Sequence, residues 1–87
     1  MADTKIQLPE YLNFKNAEEI SSEINRALRN KRGNQLTIDF SQLKKLDSAG
    51  AMIINEASLE AKKFNRILLL ENISDTTRQT LDLFSVN

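Results

Sequence analysis

The sequence predicts a small α/β fold: an open sheet, mostly parallel or mixed, with helices packed on it. Three observations lead there. Short runs of period-two or unbroken apolar character alternate with longer runs of helical spacing, in the order β-α-β-α-β-α. Single helices between successive strands favour parallel pairing through right-handed crossovers. Finally, 87 residues, 40% hydrophobic and 28% charged, suit one domain spanning residues 1–87. Surface scaling leaves such a chain roughly 64% buried, enough for a core of thin stability.

The first strand is read from Lys5-Ile6-Gln7-Leu8, which alternates polar and apolar. Pro9 ends it or confines it to an edge. Chain near Tyr11-Leu12 is a candidate for an extra edge strand. Asn16 to about Arg32 reads as a helix, with Ala17, Ile20, Ile24, Ala27 and Leu28 on one stripe. Asn16 with Glu19 resembles a capping box, and Gly33 is the expected stop. Leu36 to Phe40 alternates with period two, so a strand with one face inside is expected. A second helix is expected from about Ala49 to Phe64. Its buried stripe is read as Ala49, Ile53, Ala57, Ala61 and Phe64, widened by Met52 and Leu59, with Asp47 or Ser48 as cap. Arg66 to Glu71 is apolar on both faces at its centre, as in a strand covered on both sides. Ser74 or Asp75 caps a short last helix whose Leu81 and Phe84 face inward. Phe14, Phe40, Phe64 and Phe84 read as core, with exposure at Tyr11 and Phe14 left open.

Composition removes several classes of function. Twelve basic and twelve acidic residues cancel. The paired bases Lys31-Arg32, Lys44-Lys45 and Lys62-Lys63 are interspersed with acids and short of aromatics, so a solvated surface explains them and no nucleic acid is expected. Without cysteine or histidine there is no disulfide, thiol nucleophile, Cys/His zinc site or histidine base. No glycine-rich phosphate loop is present, and no cofactor or metal is expected. Met1 to Lys5 has no signal-peptide core, and the apolar run Ile67 to Leu70 falls far short of the roughly 20 residues of a membrane span. The expectation is a cytoplasmic, non-enzymatic chain.

Chemistry in open α/β sheets gathers at the carboxyl ends of strands. Here the strand ending at Phe40 leads through Lys44-Lys45-Leu46 to Asp47-Ser48-Ala49-Gly50. That puts a carboxylate and a hydroxyl at a helix start, where free amides favour an anion, including a phosphoryl group on Ser48. Small residues at Gly50 and Ala51 would let another protein's backbone approach. Simple capping accounts for the same residues.

Leu36-Thr37-Ile38-Asp39-Phe40-Ser41, Leu46-Asp47-Ser48-Ala49-Gly50-Ala51 and Ile67-Leu68-Leu69-Leu70 together resemble the STAS domain of sulfate transporters and anti-sigma-factor antagonists. Ile73-Ser74 through Phe84 is similar to the family's last helix. The resemblance covers about residues 5–87. It implies a binding module without catalysis, with Ser48 as phosphorylation or contact site. The contact surface it implies is Asp47, Ser48, Ala49, Gly50, Ala51 and Met52, rimmed by Lys44 and Lys45. In antagonists, a kinase that is also an anti-sigma factor phosphorylates the matching serine and so breaks the complex. Antagonists commonly carry a second serine or threonine and a Gly-Leu-Gly continuation. Ala49 and Gly50-Ala51-Met52 stand there instead, and the N-terminal part is short. Those departures look closer to MlaB-type subunits and to the N-terminal domains of MlaE-type permeases. The implied partner is then the permease or ATPase of an ABC-type lipid transporter, at the inner face of the membrane.

Overall fold

In the computed structural model, residues 4–30 and 34–85 are described. They form β1 (Thr4–Gln7), β2 (Tyr11–Leu12), α1 (Ala17–Arg29), β3 (Gln35–Asp39), β4 (Lys45–Leu46), α2 (Ser48–Lys63), β5 (Ile67–Glu71) and α3 (Asp75–Leu83). The α/β order is the expected one, with two short strands added. The main sheet has the order β1-β3-β5 and is parallel throughout, with Ile6 beside Ile38 and Ile38 beside Leu70. Tyr11-Leu12 does form a strand. It pairs with β4 in a separate parallel ladder, Tyr11 with Lys45 and Leu12 with Leu46. Pro9 follows the end of β1, which is an edge strand.

Alternation sorts the sheet into two unlike faces. Ile6, Leu36 and Ile38 join Ile20, Ile24, Leu28, Ile54, Ala57 and Ala61 in one core, with Leu68 and Leu70 packed against it. The opposite face carries Lys5, Gln7, Thr37, Asp39, Ile67 and Leu69, none of which belongs to that core. The helices therefore lie on one face of the sheet.

This arrangement corrects two expectations about strands. β3 is central, and Leu36 to Phe40 are all buried, Thr37 and Asp39 included. Neighbouring strands and a Lys5–Glu71 ion pair of 2.9 Å that spans β3 shield its polar side. β5 is the strand with an open side. Ile67 is 55% and Leu69 42% exposed, because β5 is an edge and no helix covers that face among the described residues.

α1 forms where apolar residues recur at helical spacing. Ala17, Ile20, Ile24 and Leu28 are buried, Ala27 half-buried. Each large side chain contributes about 1.5–3 kcal/mol on full burial, more than propensity supplies to so short a helix. Glu18 and Glu19 lie in the first turn and Arg26 and Arg29 in the last, in line with the helix dipole. The capping box does not form. Asn16 instead accepts from the Asn13 amide at 2.9 Å and donates to the Tyr11 carbonyl at 2.8 Å, tying up the turn before the helix. The helix ends at Arg29, short of the expected Arg32. Lys31, Arg32 and the expected stop Gly33 lie outside the described residues.

On α2 the buried stripe is rotated from the expected one. It comprises Gly50, Ala51, Ile54, Ala57 and Ala61, whereas Met52, Leu59 and Phe64 are exposed and Ala49 and Ile53 half-buried. A helix with apolar residues on most sides leaves the choice of face to its neighbours. The C-terminus closes on Asn65, at φ 54°. The Arg66 amide donates to the Ala61 carbonyl and the Asn65 amide to the Lys62 carbonyl, a Schellman closure with asparagine in the left-handed position. On α3, Ser74 caps as expected, accepting from the Thr77 amide at 3.1 Å, and Leu81 is buried. Phe84 is 39% exposed and Phe14 is 73% exposed. With Phe64 also exposed, Phe40 alone of the four phenylalanines is in the core.

Asp39 organises the open face. Its carboxylate accepts from Asn72 Nδ2 at 2.9 Å and from the Ser41 amide at 3.0 Å. The Asn72 bond first, then the Ser41 amide, hold the carboxyl below its ordinary value of 3.8, against the opposing effect of burial. A depressed folded value means that this stabilisation is complete above the unfolded value. It is lost as pH falls through the folded one. Asn72→Ala should therefore cost stability near neutrality, with the gap to wild type narrowing below about pH 4. Urea midpoints measured across that range test this, and a pH-independent gap contradicts it.

Candidate functional site

The site is the junction where β4 hands over to α2. Leu12 and Leu46 pair side by side, and the Asp47 amide donates to the Leu12 carbonyl at 3.2 Å. Upstream, the Lys44 and Lys45 amides both donate to the Glu10 carbonyl, at 2.7 and 3.2 Å. The backbone before the helix is thus stitched to β2 and its approach. Gly50 seats the first turn of α2 on that strand. A Cβ at this position would lie 2.6 Å from the Leu12 carbonyl oxygen and 2.8 Å from Leu46 Cδ1. Only a residue without a Cβ fits so close an approach.

Asp47 is the N-cap, with extended backbone at φ −95° and ψ −177°. One carboxylate oxygen accepts from the Gly50 amide at 2.8 Å, and the other from the Phe14 amide at 3.0 Å. The first bond satisfies a helix-end donor. The second fastens the β2–α1 loop to the start of α2. Asp47 thus couples two segments 33 positions apart in sequence.

The expected site residues separate into two groups. Ser48, the first residue of α2, is exposed, as are Lys44, Lys45 and Met52. Asp47 and Ala49 are half-buried. Gly50 and Ala51 are buried, Ala51 completely, which corrects the expectation that they face a partner. The small size of Gly50 serves packing on Leu12 and Leu46, and Ala51 joins the hydrophobic core. At about 100° per residue, Ser48 lies on the far side of the helix from Gly50, and Met52 falls one turn below Ser48. The Lys44–Glu10 ion pair, 3.3 Å with both side chains exposed, is worth at most about 1 kcal/mol. It does not fix the lysine.

Sequence reasoning read Phe14 as core, with its exposure left open, and gave it no part in the site, yet Asp47 holds its backbone beside the start of α2. Only the tertiary contact reveals that neighbourhood. Asn13, which makes a local turn by accepting from the Lys15 amide at 2.9 Å, was the available hint of a structured loop.

A STAS domain family model matches residues 3–87, so the chain belongs to the STAS domain family. Among solved structures it is similar to one described as the anti-sigma factor antagonist SpoIIAA in its unphosphorylated form. The TM-score is 0.77 at 23% sequence identity, covering 95% of this chain and 73% of that one. At that identity the likeness is one of fold. No curated protein sequence matches.

Two substitutions separate seating from display. Gly50→Ala should lower stability by about 1–2 kcal/mol, because overpacking against Leu12 outweighs the roughly 1 kcal/mol gain in helix propensity. Ser48→Ala should change it by no more than about 0.5 kcal/mol, as for an exposed residue with no special role in the fold. Chemical denaturation of both variants is the check. Equal stability of Gly50→Ala and wild type would contradict the close approach.

Proposed function

We propose that this chain is a non-enzymatic protein-interaction module of the anti-sigma-factor-antagonist type. It works in the cytoplasm and docks through the surface around Ser48. One observation carries the proposal: Ser48 is exposed at the start of α2 while its neighbours Asp47 and Gly50 are locked into the fold. A hydroxyl so displayed is accessible to a kinase. In the modification, Ser48 Oγ loses its proton and takes the terminal phosphoryl group of a nucleoside triphosphate, and the diphosphate leaves. Roughly two negative charges then enter the contact surface beside Asp47. Met52, 50% exposed, supplies apolar contact area, and Lys44 and Lys45 form its charged rim.

A second reading is docking on the permease or ATPase of an ABC-type, Mla-like lipid transporter. It draws on the resemblance of Asp47 to Ala51 to that group. It also draws on Met52 and Leu59, half-exposed on the outer side of α2, as apolar surface for a lasting contact. In this reading Ser48 is a contact residue that stays unmodified.

Affinity purification from the source cell, with mass spectrometry of the partner and of the Ser48 peptide, tests both. The switch reading expects a phosphopeptide spanning Ser48. It also expects Ser48→Asp to weaken the partner complex at least about tenfold while Ser48→Ala stays within about threefold. Equal binding by the two variants contradicts it. The transporter reading expects a permease or ATPase to co-purify. A soluble kinase as the only partner contradicts that. In either case Lys44→Glu with Lys45→Glu should slow association more than it alters the fold. Stopped-flow rates that do not change would remove both lysines from the surface.

A further inference from the structure

Backbone N–H and C=O groups alternate sides along a strand. On β5 the Ile67 amide donates to the Asn34 carbonyl at 2.9 Å, and the Glu71 carbonyl accepts from the Phe40 amide at 2.9 Å. Ile67, Leu69 and Glu71 therefore turn their backbone toward β3, and Leu68 and Leu70 turn theirs to the outer edge. No strand pairs with that edge among the described residues. We infer that a second copy of this chain fills it. The two β5 strands run antiparallel about a twofold axis at Leu69 and join the two main sheets into one. The inference uses none of the residues of the Ser48 surface and does not depend on the function proposed for it.

The backbone selects the register. Antiparallel strands exchange bonds only where outward-turned residues oppose each other. Centring on Leu69 sets Leu68 opposite Leu70 of the second copy, and Leu70 opposite its Leu68, so the N–H and C=O of both residues find partners. Centring on Leu68 would set Leu70 opposite Arg66, whose amide already donates to the Ala61 carbonyl at 2.8 Å. Centring on Leu70 would set Leu68 opposite Asn72, which has left the strand at φ 57°. A slip of one position sets outward groups against inward ones. In the Leu69 register, Leu69 meets its own copy in a close pair on the open face. Glu71 falls opposite Ile67 and keeps its ion pair with Lys5, so no like charges meet.

The character of the edge argues for a second copy. Edge strands are ordinarily guarded by charge or proline. β1 is guarded in this way, with Lys5 on the strand and Pro9 just after it. β5 instead presents Ile67-Leu68-Leu69-Leu70 before its single charge at Glu71. Ile67 is 55% and Leu69 42% exposed. Leu68 and Leu70, though turned to the core side, are only half-buried, so the core is unfinished at this rim. The chain's net charge is zero, which removes long-range repulsion between copies. Pairing β5 with β1 of another copy would repeat head to tail without closing, and it would meet the guarded edge. A strand of five residues on each side buries less than the roughly 1,200 Å² of a stable interface. The dimer is therefore a weak, reversible one.

Sedimentation equilibrium of the whole chain tests this. The wild type should be monomeric at about 10 μM and largely dimeric near about 1 mM. Leu69→Lys and Leu69→Glu each set like charges face to face across the axis and should weaken the dimer at least about tenfold. An equimolar mixture of the two variants should restore it, because only the mixed pair sets opposite charges together. Amide exchange on the wild type needs no substitution and decides the matter if the variants fail to fold. The Leu68 and Leu70 amides should exchange more slowly as concentration rises, while the Leu69 amide, turned toward β3, changes little. A monomer at every concentration, a dimer indifferent to either charge, a mixture of folded variants that stays monomeric, or slowed exchange that spares Leu68 and Leu70 each overturns the inference.

Discussion

Where α2 comes down onto β2 there is no room for a Cβ, and the Leu12 carbonyl oxygen sets that limit at Gly50. Much of the molecule's display follows from this contact. With Gly50 and Ala51 turned inward, helical geometry turns Ser48 and Met52 outward. With the first turn seated, the Gly50 amide lies within reach of the Asp47 carboxylate. The second oxygen of that carboxylate is then free to hold the Phe14 amide. A glycine that would cost stability in the middle of an exposed helix is here the condition for the helix to start where it does.

The sheet shows a similar division between a face that builds the core and a face that carries polar contacts. Ile6, Leu36 and Ile38 unite the strands with both long helices. On the other side, Lys5 bridges to Glu71 across β3, and Asn72 and Ser41 converge on Asp39. The hydrogen bond and the charge of Glu71 also raise the Lys5 ammonium above its ordinary value of 10.5. β3 is buried on its polar side because strands flank it on both edges. β5, with a neighbour on one edge only, leaves Ile67 and Leu69 open. Position in the sheet, more than side-chain type, sets exposure here.

The docking surface proposed for this domain consists of a few displayed groups on a rigid frame. Ser48, Met52, Lys44 and Lys45 stand on backbone that is hydrogen-bonded or helical. Under the switch reading proposed for Ser48, a phosphoryl group meets a surface already in place, so its effect is electrostatic and local.

The sequence alone determined the order of the three helices and the three strands of the main sheet, though not the short strand β4. Period-two and helical spacings are local properties of a chain, as are the caps at Asp47 and Ser74, which act on amides three residues away. It also showed where strand passes to helix at Asp47-Ser48, and hence the candidate site and the family likeness. It misplaced what depends on neighbours. The runs Ala49 to Ala61 and Ile67 to Leu70 are apolar on more than one side, so composition cannot say which side meets the core. Asn16 had a local capping role available to it, yet its amide serves the loop because Asn13 and Tyr11 lie within reach. Tertiary structure alone brought Leu12 against Gly50 and Phe14 against Asp47. Contacts between distant segments depend on how the layers pack, and no periodicity within a single segment encodes them.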